Sequence, residues 1–323
     1  ELMKKQEKRF YTYEQQISHL RGKGLIIDNE DIAMTYLKRY SYYALISGYK
    51  SIFKAEKNGP YKNGIKFSDI LRLYQFDDDL RRIFFRYILQ IEKHLKSLYS
   101  YYFCDLFGDK MQDYLDVNNY NYDRYQKDVN DFVNIISKRL KKCEDYTYIS
   151  YNVKTYHSVP LWVLIHSFTF GNISKMYSFS QQKLQSKIAS NFDGVMGFQL
   201  NTLIRVLSYF RNVCAHNERL YNYKTTNVIK DMPVHNLLGI PKVGQEYKYG
   251  KRDLFSVVIC FKYLLEPHEL NLFIDILLEL FRTYELSYDK MYFDFSDVLR
   301  EMGFYPGWEE IGRIPNHPKT RQI

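Results

Sequence analysis

The stretch RNVCAHNERL, at residues 211–220, contains residue types that can bind phosphate and transfer protons. Arg211, Asn212 and His216 fall within about a turn and a half of a predicted helix. Asn212 and His216 are four residues apart and share one face, whereas five helical steps place Arg211 about 140° from His216 around the axis. An imidazole exchanges protons near neutral pH, and a guanidinium binds phosphate oxygens through parallel hydrogen bonds. The spacing alone is weak support, because about one such Arg–His pair is expected by chance.

Other sites of catalysis are not indicated. The sequence contains no glycine-rich phosphate loop, no GxSxG and no HExxH. His268 and Glu269 begin a predicted helix without a further ligand nearby, so we predict a capping or surface role for them. His166 lies in the apolar run LIHSF, and we predict a buried, hydrogen-bonded histidine. The four cysteines form no CxxC pair, so neither a disulfide framework nor a metal site is predicted.

The composition favours an anionic partner. The net charge is +9, and the 323 residues include 32 tyrosines. Basic proteins bind nucleic acid most often, and tyrosine near lysine suits stacking on single strands. A coding bias toward Tyr, Lys, Asn and Ile explains the composition equally well. Apolar runs such as LWVLI are too short to span a bilayer, and ELMKKQEKRF lacks the apolar segment of a signal peptide. We therefore predict a cytoplasmic protein with no membrane segment.

Helical periodicity runs through most of the chain and predicts an all-α fold. Apolar residues recur at spacings of three and four after Ser68 and predict one long core helix. A further helix is predicted over 197–216. Residues 105–157, rich in Asn, Asp and Tyr, are predicted to form a mobile excursion with a helical patch at 132–143. The predicted regions are an N-terminal helical region (1–66), a core (67–225), and C-terminal helices with an irregular tail (226–323).

Local signals predict several boundaries between elements. Thr12 and Asp28 are candidate N-caps of the first two helices. Gly171 is predicted to break the helical pattern that resumes after Pro160. The loops of residues 224–253 are predicted to contain a short hairpin. Two helices are predicted to follow, over DLFSVVICFKYLL and PHELNLFIDILLELFRTYE.

The motif and several other segments resemble a known family. RNVCAHNERLYN resembles the Arg–polar–(x)n–His signature of ribonucleases in the HEPN superfamily. The ordered set resembles the Abi-like proteins of the AbiD/AbiF type, which act in bacterial abortive infection. Asn217 departs from the pattern, in which a second histidine is common. The other segments that carry the resemblance are YLKRYSYYALISGYKSIF (36–53), FSDILRLYQFDDDLRRIFFRYILQIEKHLKS (67–97), VPLWVLIHSFTFGNISKMY (159–177) and KRDLFSVVICFKYLL (251–265).

The resemblance implies a HEPN-type helical bundle and a metal-independent endoribonuclease without a cofactor. Such cleavage uses the ribose 2′-OH as nucleophile and needs a base and an acid. In this family pattern His216 would transfer protons, and Arg211 would hold the scissile phosphate. Asn212 would orient the imidazole or a phosphate oxygen. Glu92 would support Arg211, although a surface ion pair with Lys96 at i+4 is the favoured alternative.

One chain carries a single motif, whereas the chemistry needs both an acid and a base. The resemblance therefore implies a homodimer, or a partner that supplies a second motif. Cations are candidate RNA contacts, although a merely solvated face explains them equally well. These cations are Lys138, Arg139, Lys141, Lys142, Arg205, Arg219, Lys251 and Arg252.

The expected function is that of a toxin in phage defence, restrained by a non-coding RNA or a protein antitoxin. One alternative is a non-catalytic RNA-binding protein with a HEPN fold. Another is a HEPN unit that a nucleotidyltransferase modifies or that binds another protein. Arg211 and His216 favour the ribonuclease over a binding module, because binding needs no titratable histidine at that spacing.

Overall fold

Helices make up most of the described chain. The structure is a computed structural model that describes residues 9–56 and 58–316. Within these residues the chain forms fourteen α-helices and one two-stranded antiparallel sheet, so the predicted all-α class is confirmed. The α-helices are α1 (Tyr13–Gly22), α2 (Glu30–Tyr42), α3 (Phe67–Phe107), α4 (Met111–Leu115), α5 (Tyr122–Lys141), α6 (Thr147–Tyr156), α7 (Leu161–Leu164), α8 (Phe170–Ser178), α9 (Gln182–Ala189), α10 (Gly197–Ala215), α11 (Pro233–Leu237), α12 (Leu254–Leu264), α13 (Pro267–Ser287) and α14 (Ser296–Met302).

The predicted hairpin is present. Strands β1 (Lys242–Val243) and β2 (Glu246–Tyr247) pair with Lys242 opposite Tyr247. The turn between them contains Gly244 at φ 64, a left-handed conformation that glycine adopts without a steric penalty.

The first two helices begin at polar caps. Thr12 caps α1 through a capping box, as predicted. The predicted cap at Asp28 is wrong, because Asn29 accepts the N–H of Ile32 at 2.9 Å and α2 begins one residue later. The Asp28 carboxylate instead accepts the N–H of Ser68 at 3.3 Å, so it joins the starts of α2 and α3.

The region 105–157 contains three α-helices and packs partly through two buried tyrosines. The buried hydroxyl of Tyr114 donates to the Val159 carbonyl at 2.7 Å, and that of Tyr120 donates to the Tyr114 carbonyl at 2.8 Å. The helix predicted at 132–143 begins ten residues earlier, as α5. Two of the tyrosines that suggested an irregular segment are thus buried with their hydroxyls hydrogen-bonded, whereas others such as Tyr151 and Tyr156 are exposed.

Two local predictions after Pro160 are wrong. Gly171 lies inside the first turn of α8, and the helical pattern breaks at the N-cap Thr169, whose hydroxyl accepts the N–H of Asn172 at 3.2 Å. His166 is exposed, although it was predicted to be buried. It lies in a 3₁₀ turn after α7, four residues after Trp162, which is also exposed. Residues four apart share a helix face, so His166 falls on the exposed side of this apolar run.

The described residues form two compact units. The first comprises residues up to 81 together with 275–301. Its interior contains an ion pair between Arg81 and Asp77 at 2.6 Å, and the Tyr49 hydroxyl donates to the same carboxylate at 2.6 Å. Each charge is therefore satisfied although both residues are buried.

The second unit comprises residues 82–274 together with those from 302 onward. Helix α10 contacts α8, α9 and α12, and it buries Leu203, Leu207 and Phe210 among them. Glu269 accepts the N–H of Glu266 at 3.1 Å, which bears out the predicted capping role at the start of α13. The three sequence-based regions stay a prediction.

The ends of the chain are described only in part. From Gly303 to residue 316 the predicted irregular tail contains one 3₁₀ helix, Trp308–Gly312. Residues 1–8 and 317–323, with the charged N-terminal segment and Pro318, lie outside the described residues. In the part of the chain that is described, no helix combines the length and apolarity needed to cross a membrane.

Candidate functional site

Arg211 is held against the long helix α3. Its Nε atom lies 3.4 Å from Glu92 Oε2, and its guanidinium lies 5.8 Å from the centre of the Phe85 ring. Phe85 and Glu92 are seven residues apart, so both lie on the face of α3 that meets this arginine. The supporting role predicted for Glu92 therefore has a direct contact. Phe85 was not predicted, and its spacing of seven from Glu92 indicates only that the two share a helix face.

Glu92 also binds Lys96, as the alternative prediction proposed. Lys96 Nζ lies 2.8 Å from Glu92 Oε1 on the same helix. The pair is not on the surface, since Glu92 is 5% and Lys96 8% exposed. One buried carboxylate thus faces two cations, and the group carries an excess positive charge. Such an excess attracts an anion, because charge interactions strengthen where water is partly excluded.

The Glu92–Arg211 contact leaves the arginine able to bind more. The two facing atoms make no hydrogen bond with any described residue, so the contact is an ion pair rather than an aligned hydrogen bond. The Arg211 side chain is 24% exposed, and Nε is the atom turned toward Glu92. The two terminal nitrogens form the fork that binds phosphate bidentately.

Helix α10 ends in a Schellman motif at the motif histidine. The N–H of Glu218 donates to the Val213 carbonyl at 3.0 Å, and the N–H of Asn217 donates to the Cys214 carbonyl at 3.3 Å. Asn217 has φ 54, and asparagine is one of the few side chains that adopt this left-handed conformation readily. The departure from the family pattern at Asn217 therefore coincides with a residue that ends the helix.

His216 is the C-cap residue and is exposed, as is Asn212 one turn earlier. Among the described residues, the ion pair and ring contact of Arg211 are made with Glu92 and Phe85 and not with His216. The predicted angular separation explains this, because Arg211 turns toward α3 while Asn212 and His216 turn outward. One chain therefore holds the predicted phosphate ligand and the predicted acid–base group on different sides of one helix end.

The basic run on α5 contains side chains with different environments. Lys138, Lys141 and Lys142 are exposed. Arg139 instead donates to both the carbonyl and the hydroxyl of Ser167, and to Asn172 Oδ1 at 3.2 Å. Its guanidinium is thus used within the chain, which favours a packing role for Arg139 over the predicted RNA contact.

The remaining predicted RNA contacts are also of two kinds. Lys251 forms an ion pair with Asp231 and is largely buried by it and its neighbours. Arg205, Arg219 and Arg252 are exposed. Within residues 9–56 and 58–316, no three His, Cys, Asp or Glu side chains gather in a way that could hold a metal ion.

The helical fold and the cationic group beside α10 define a mostly helical protein with a candidate anion-binding site. Residues 35–222 match the family model of the Abi-like proteins, which is more than half of the chain. The chain therefore belongs to the Abi-like protein family. This membership suggests a role in abortive infection, a form of phage defence. No curated protein and no solved structure matches the chain.

Proposed function

We propose that this Abi-like protein is a metal-independent endoribonuclease of the HEPN type, of the AbiD/AbiF kind, and a toxin in phage defence. Its substrate is RNA, cleaved at a site that contains Arg211, Asn212 and His216. The observation that carries the proposal is the environment of Arg211. This arginine is anchored by buried Glu92 through Nε, its side chain is 24% exposed, and it lies at the helix end that exposes His216.

The proposed reaction needs only side chains and the RNA itself. A base removes the proton of the ribose 2′-OH, and the 2′-oxygen forms a bond to the adjacent phosphorus. The bond from phosphorus to the 5′-oxygen breaks, and an acid gives that oxygen a proton. The products are a 2′,3′-cyclic phosphate and a 5′-hydroxyl. Arg211 stabilises the charge on the phosphoryl oxygens during this exchange.

Two copies of the chain complete the proposed site. A single imidazole cannot be base and acid in the same step, and each chain supplies one motif histidine. Asn212 and His216 are exposed on one face, so a two-fold axis beside the end of α10 brings two histidines together. Each copy then contributes an anchored arginine and an outward histidine. The homodimer is thus part of the proposal.

A ribonuclease that acts as a toxin must be restrained in an uninfected cell. The net charge of +9 favours a restraining partner that is itself anionic, such as a non-coding RNA. An acidic antitoxin protein satisfies the same electrostatics. Sequencing the nucleic acid that co-purifies with the protein from its host separates these two partners.

The chemistry is tested with purified protein and a 5′-labelled single-stranded RNA in excess EDTA. We expect cleavage that leaves 2′,3′-cyclic phosphate ends, and no cleavage by the double variant Arg211→Ala, His216→Ala, which controls for contaminating nucleases. Cleavage that stops when EDTA is added would contradict the metal-independent step. Equal cleavage by the wild type and the double variant would assign the activity to a contaminant.

A non-catalytic RNA-binding protein is the second candidate. The observation that favours it is the separation of Arg211 from His216 within one chain, since a binding surface does not require them to meet. The two candidates differ in one outcome. A non-catalytic protein binds the labelled RNA and leaves it intact at every concentration.

A further inference from the structure

A polar groove lies in the second unit, at the start of α10. It encloses about 800 Å³ between the start of α5, helix α9 and the first turn of α10. This volume falls within the roughly 300–1,000 Å³ that small-molecule and nucleotide sites occupy. None of the residues assigned above to the ribonuclease site or to RNA contact lines this groove. The groove is therefore distinct from the proposed ribonuclease site.

The lining combines one cation with neutral polar and aromatic groups. Arg124 is exposed and is the one charged side chain among the described residues that line the groove. The other wall residues are serines, asparagines and glutamines, together with Tyr125, Phe198 and a few small or apolar side chains. Phe198 is 55% exposed, although an aromatic ring on a helix is usually buried. This set suits a ligand with one negative charge, a flat ring and several neutral hydrogen-bonding groups.

An unsatisfied polar atom points to the same ligand chemistry. The Oδ1 atom of Asn201 is buried and has no hydrogen-bond partner in the described chain, and Asn201 lines the groove. A buried acceptor without a donor costs roughly 1–3 kcal/mol, so a rotation of the Asn201 amide that brings Oδ1 to a donor on a ligand is favoured. A base amino group or a ribose hydroxyl is such a donor. The first turn of α10 lies on the same wall, and helix N-termini favour anions.

The exposed face of α10 leads from the groove to the motif histidine. Phe198, Arg205, Tyr209, Asn212 and His216 are all exposed and follow one another at spacings of seven, four, three and four. These spacings place them on one face of the helix. The rise from residue 198 to residue 216 is roughly 27 Å at 1.5 Å per residue. A cation, a second aromatic ring (Tyr209, 44% exposed) and two polar side chains therefore line the way from the groove.

We infer that the groove anchors one nucleotide of a single-stranded RNA whose continuation follows the exposed face of α10 to His216. The Arg124 guanidinium binds its phosphate, Phe198 and Tyr125 stack on its base, and Asn201 Oδ1 accepts a hydrogen bond from base or ribose. The distance of roughly 27 Å corresponds to about eight stacked nucleotides at 3.4 Å each. This inference rests on the proposed ribonuclease function, and it adds a fixed spacing between the anchored nucleotide and the scissile bond.

Binding is measured separately from cleavage so that the two proposals can fail independently. All proteins carry His216→Ala, so that the RNA stays intact, and a fluorescent 12-nucleotide single-stranded RNA is titrated by anisotropy at low salt. We expect Arg124→Glu to weaken binding at least tenfold and Phe198→Ala to weaken it about tenfold, since a stacked base is worth roughly five- to a hundredfold in affinity. Arg313→Glu makes the same charge change at an exposed site outside the groove and is expected to change binding less than twofold.

Each other result overturns a definite part of the inference. Unchanged affinity in both Arg124→Glu and Phe198→Ala would mean that the groove does not hold the RNA, whether or not the wild type cleaves it. Displacement of the 12-mer by micromolar uridine monophosphate, with no gain in affinity from four to twelve nucleotides, would assign the groove to a free nucleotide. Wild-type protein that binds through the groove but never cleaves would leave the groove standing and refute the ribonuclease.

Discussion

The two sides of the C-terminal turn of α10 differ in how firmly they are held. On the inner side Arg211 meets Glu92 and Phe85, and Glu92 is itself paired with Lys96. On the outer side Asn212 and His216 are exposed. A site for phosphate benefits from a cation fixed before the substrate arrives, because no reorganisation is then needed during the reaction. A proton-transfer group that serves two chains must instead remain accessible to the second chain.

The largest effect on RNA cleavage is expected from Arg211→Ala, which removes the cation held on the inner side. Removing one stabilising donor from a transition state typically lowers the rate about 100- to 1,000-fold, and we expect a loss of this size in RNA cleavage. Arg211→Lys should recover only a small part, because an ammonium lacks the planar fork. The matched control is Arg313→Ala, which removes an exposed arginine outside the site. Cleavage by Arg211→Ala within threefold of the control would show that the anchored arginine does not act on the phosphate.

Much of this contrast could be predicted from the sequence, and part of it could not. Periodicity gave the long helix α3 and the bounds of α10 closely, because apolar spacing reports which face of a helix is covered. The five-residue spacing also predicted that Arg211 and His216 point in different directions around the helix axis. Whether Glu92 pairs with Lys96 or with Arg211 could not be decided, because the answer depends on how α3 packs against a helix more than a hundred residues later. The structure contains both contacts.

Predictions failed where a neighbour distant in sequence decides the outcome. The side chain of Asp28 was free to cap α2, yet it binds the start of α3 forty residues on. Arg139 was grouped with exposed lysines, although Ser167 and Asn172 take up its donors. In both cases the local sequence pattern predicted the helix correctly, whereas contacts with residues distant in sequence decided what the side chain binds.

The next effect concerns the support beneath Arg211. Glu92→Gln keeps the shape of the side chain and removes its charge, so buried Lys96 loses its counter-ion. Breaking a buried pair from one side costs about 3 kcal/mol or more, and we expect a loss of that order in the free energy of unfolding. Lys96→Met should cost less, because Glu92 keeps Arg211 as a partner.

Urea unfolding of Glu92→Gln, Arg211→Gln and the double variant measures the contact itself. Residues in contact show a coupling of roughly 0.5–3 kcal/mol, and we expect about 1 kcal/mol because Arg211 is partly exposed. A coupling below about 0.3 kcal/mol would mean that Glu92 does not position the arginine. Arg211 would then be no more firmly held than the exposed residues on the outer side of the helix end.

A smaller effect on stability is expected on α5, where a hydrogen-bonded arginine and exposed lysines lie close together. Arg139→Met loses hydrogen bonds to Ser167 and Asn172 and is expected to lower the free energy of unfolding by about 1–2 kcal/mol. Reversing the charge of exposed Lys141 and Lys142 should change stability by less than about 0.5 kcal/mol. The lysine variant should instead weaken RNA binding and reduce its salt dependence. Equal stability losses in the two variants would show that tethered and exposed cations are not distinct here.

The smallest effect is expected at a buried histidine outside the proposed site. Burial lowers the pKa of His235, whose Nδ1 faces the N–H of Met232 at 3.0 Å and whose Nε2 faces the Gly250 carbonyl at 3.0 Å. The folded state therefore holds a neutral imidazole. Below about pH 6.5 an unfolded histidine binds a proton that the folded one resists, so the contribution to stability is present above this pH and is lost as the pH falls.

Urea unfolding between pH 7.5 and pH 5.5 tests this assignment with His235→Gln, whose amide does not titrate. The stability difference between wild type and variant is expected to narrow below about pH 6.5, by at most about 1.4 kcal/mol per pH unit. A difference that stays constant over this range would mean that His235 is not held neutral.

The most direct test of the central claim is single-turnover cleavage by His216→Ala at increasing protein concentration. The histidine is exposed at a helix end, so the variant should fold and bind RNA with wild-type affinity. Its maximal rate should fall about 100- to 10,000-fold, the usual contribution of acid–base catalysis. A maximal rate within a few-fold of wild type, with RNA still cut, would contradict the assignment of the ribonuclease site to this helix end.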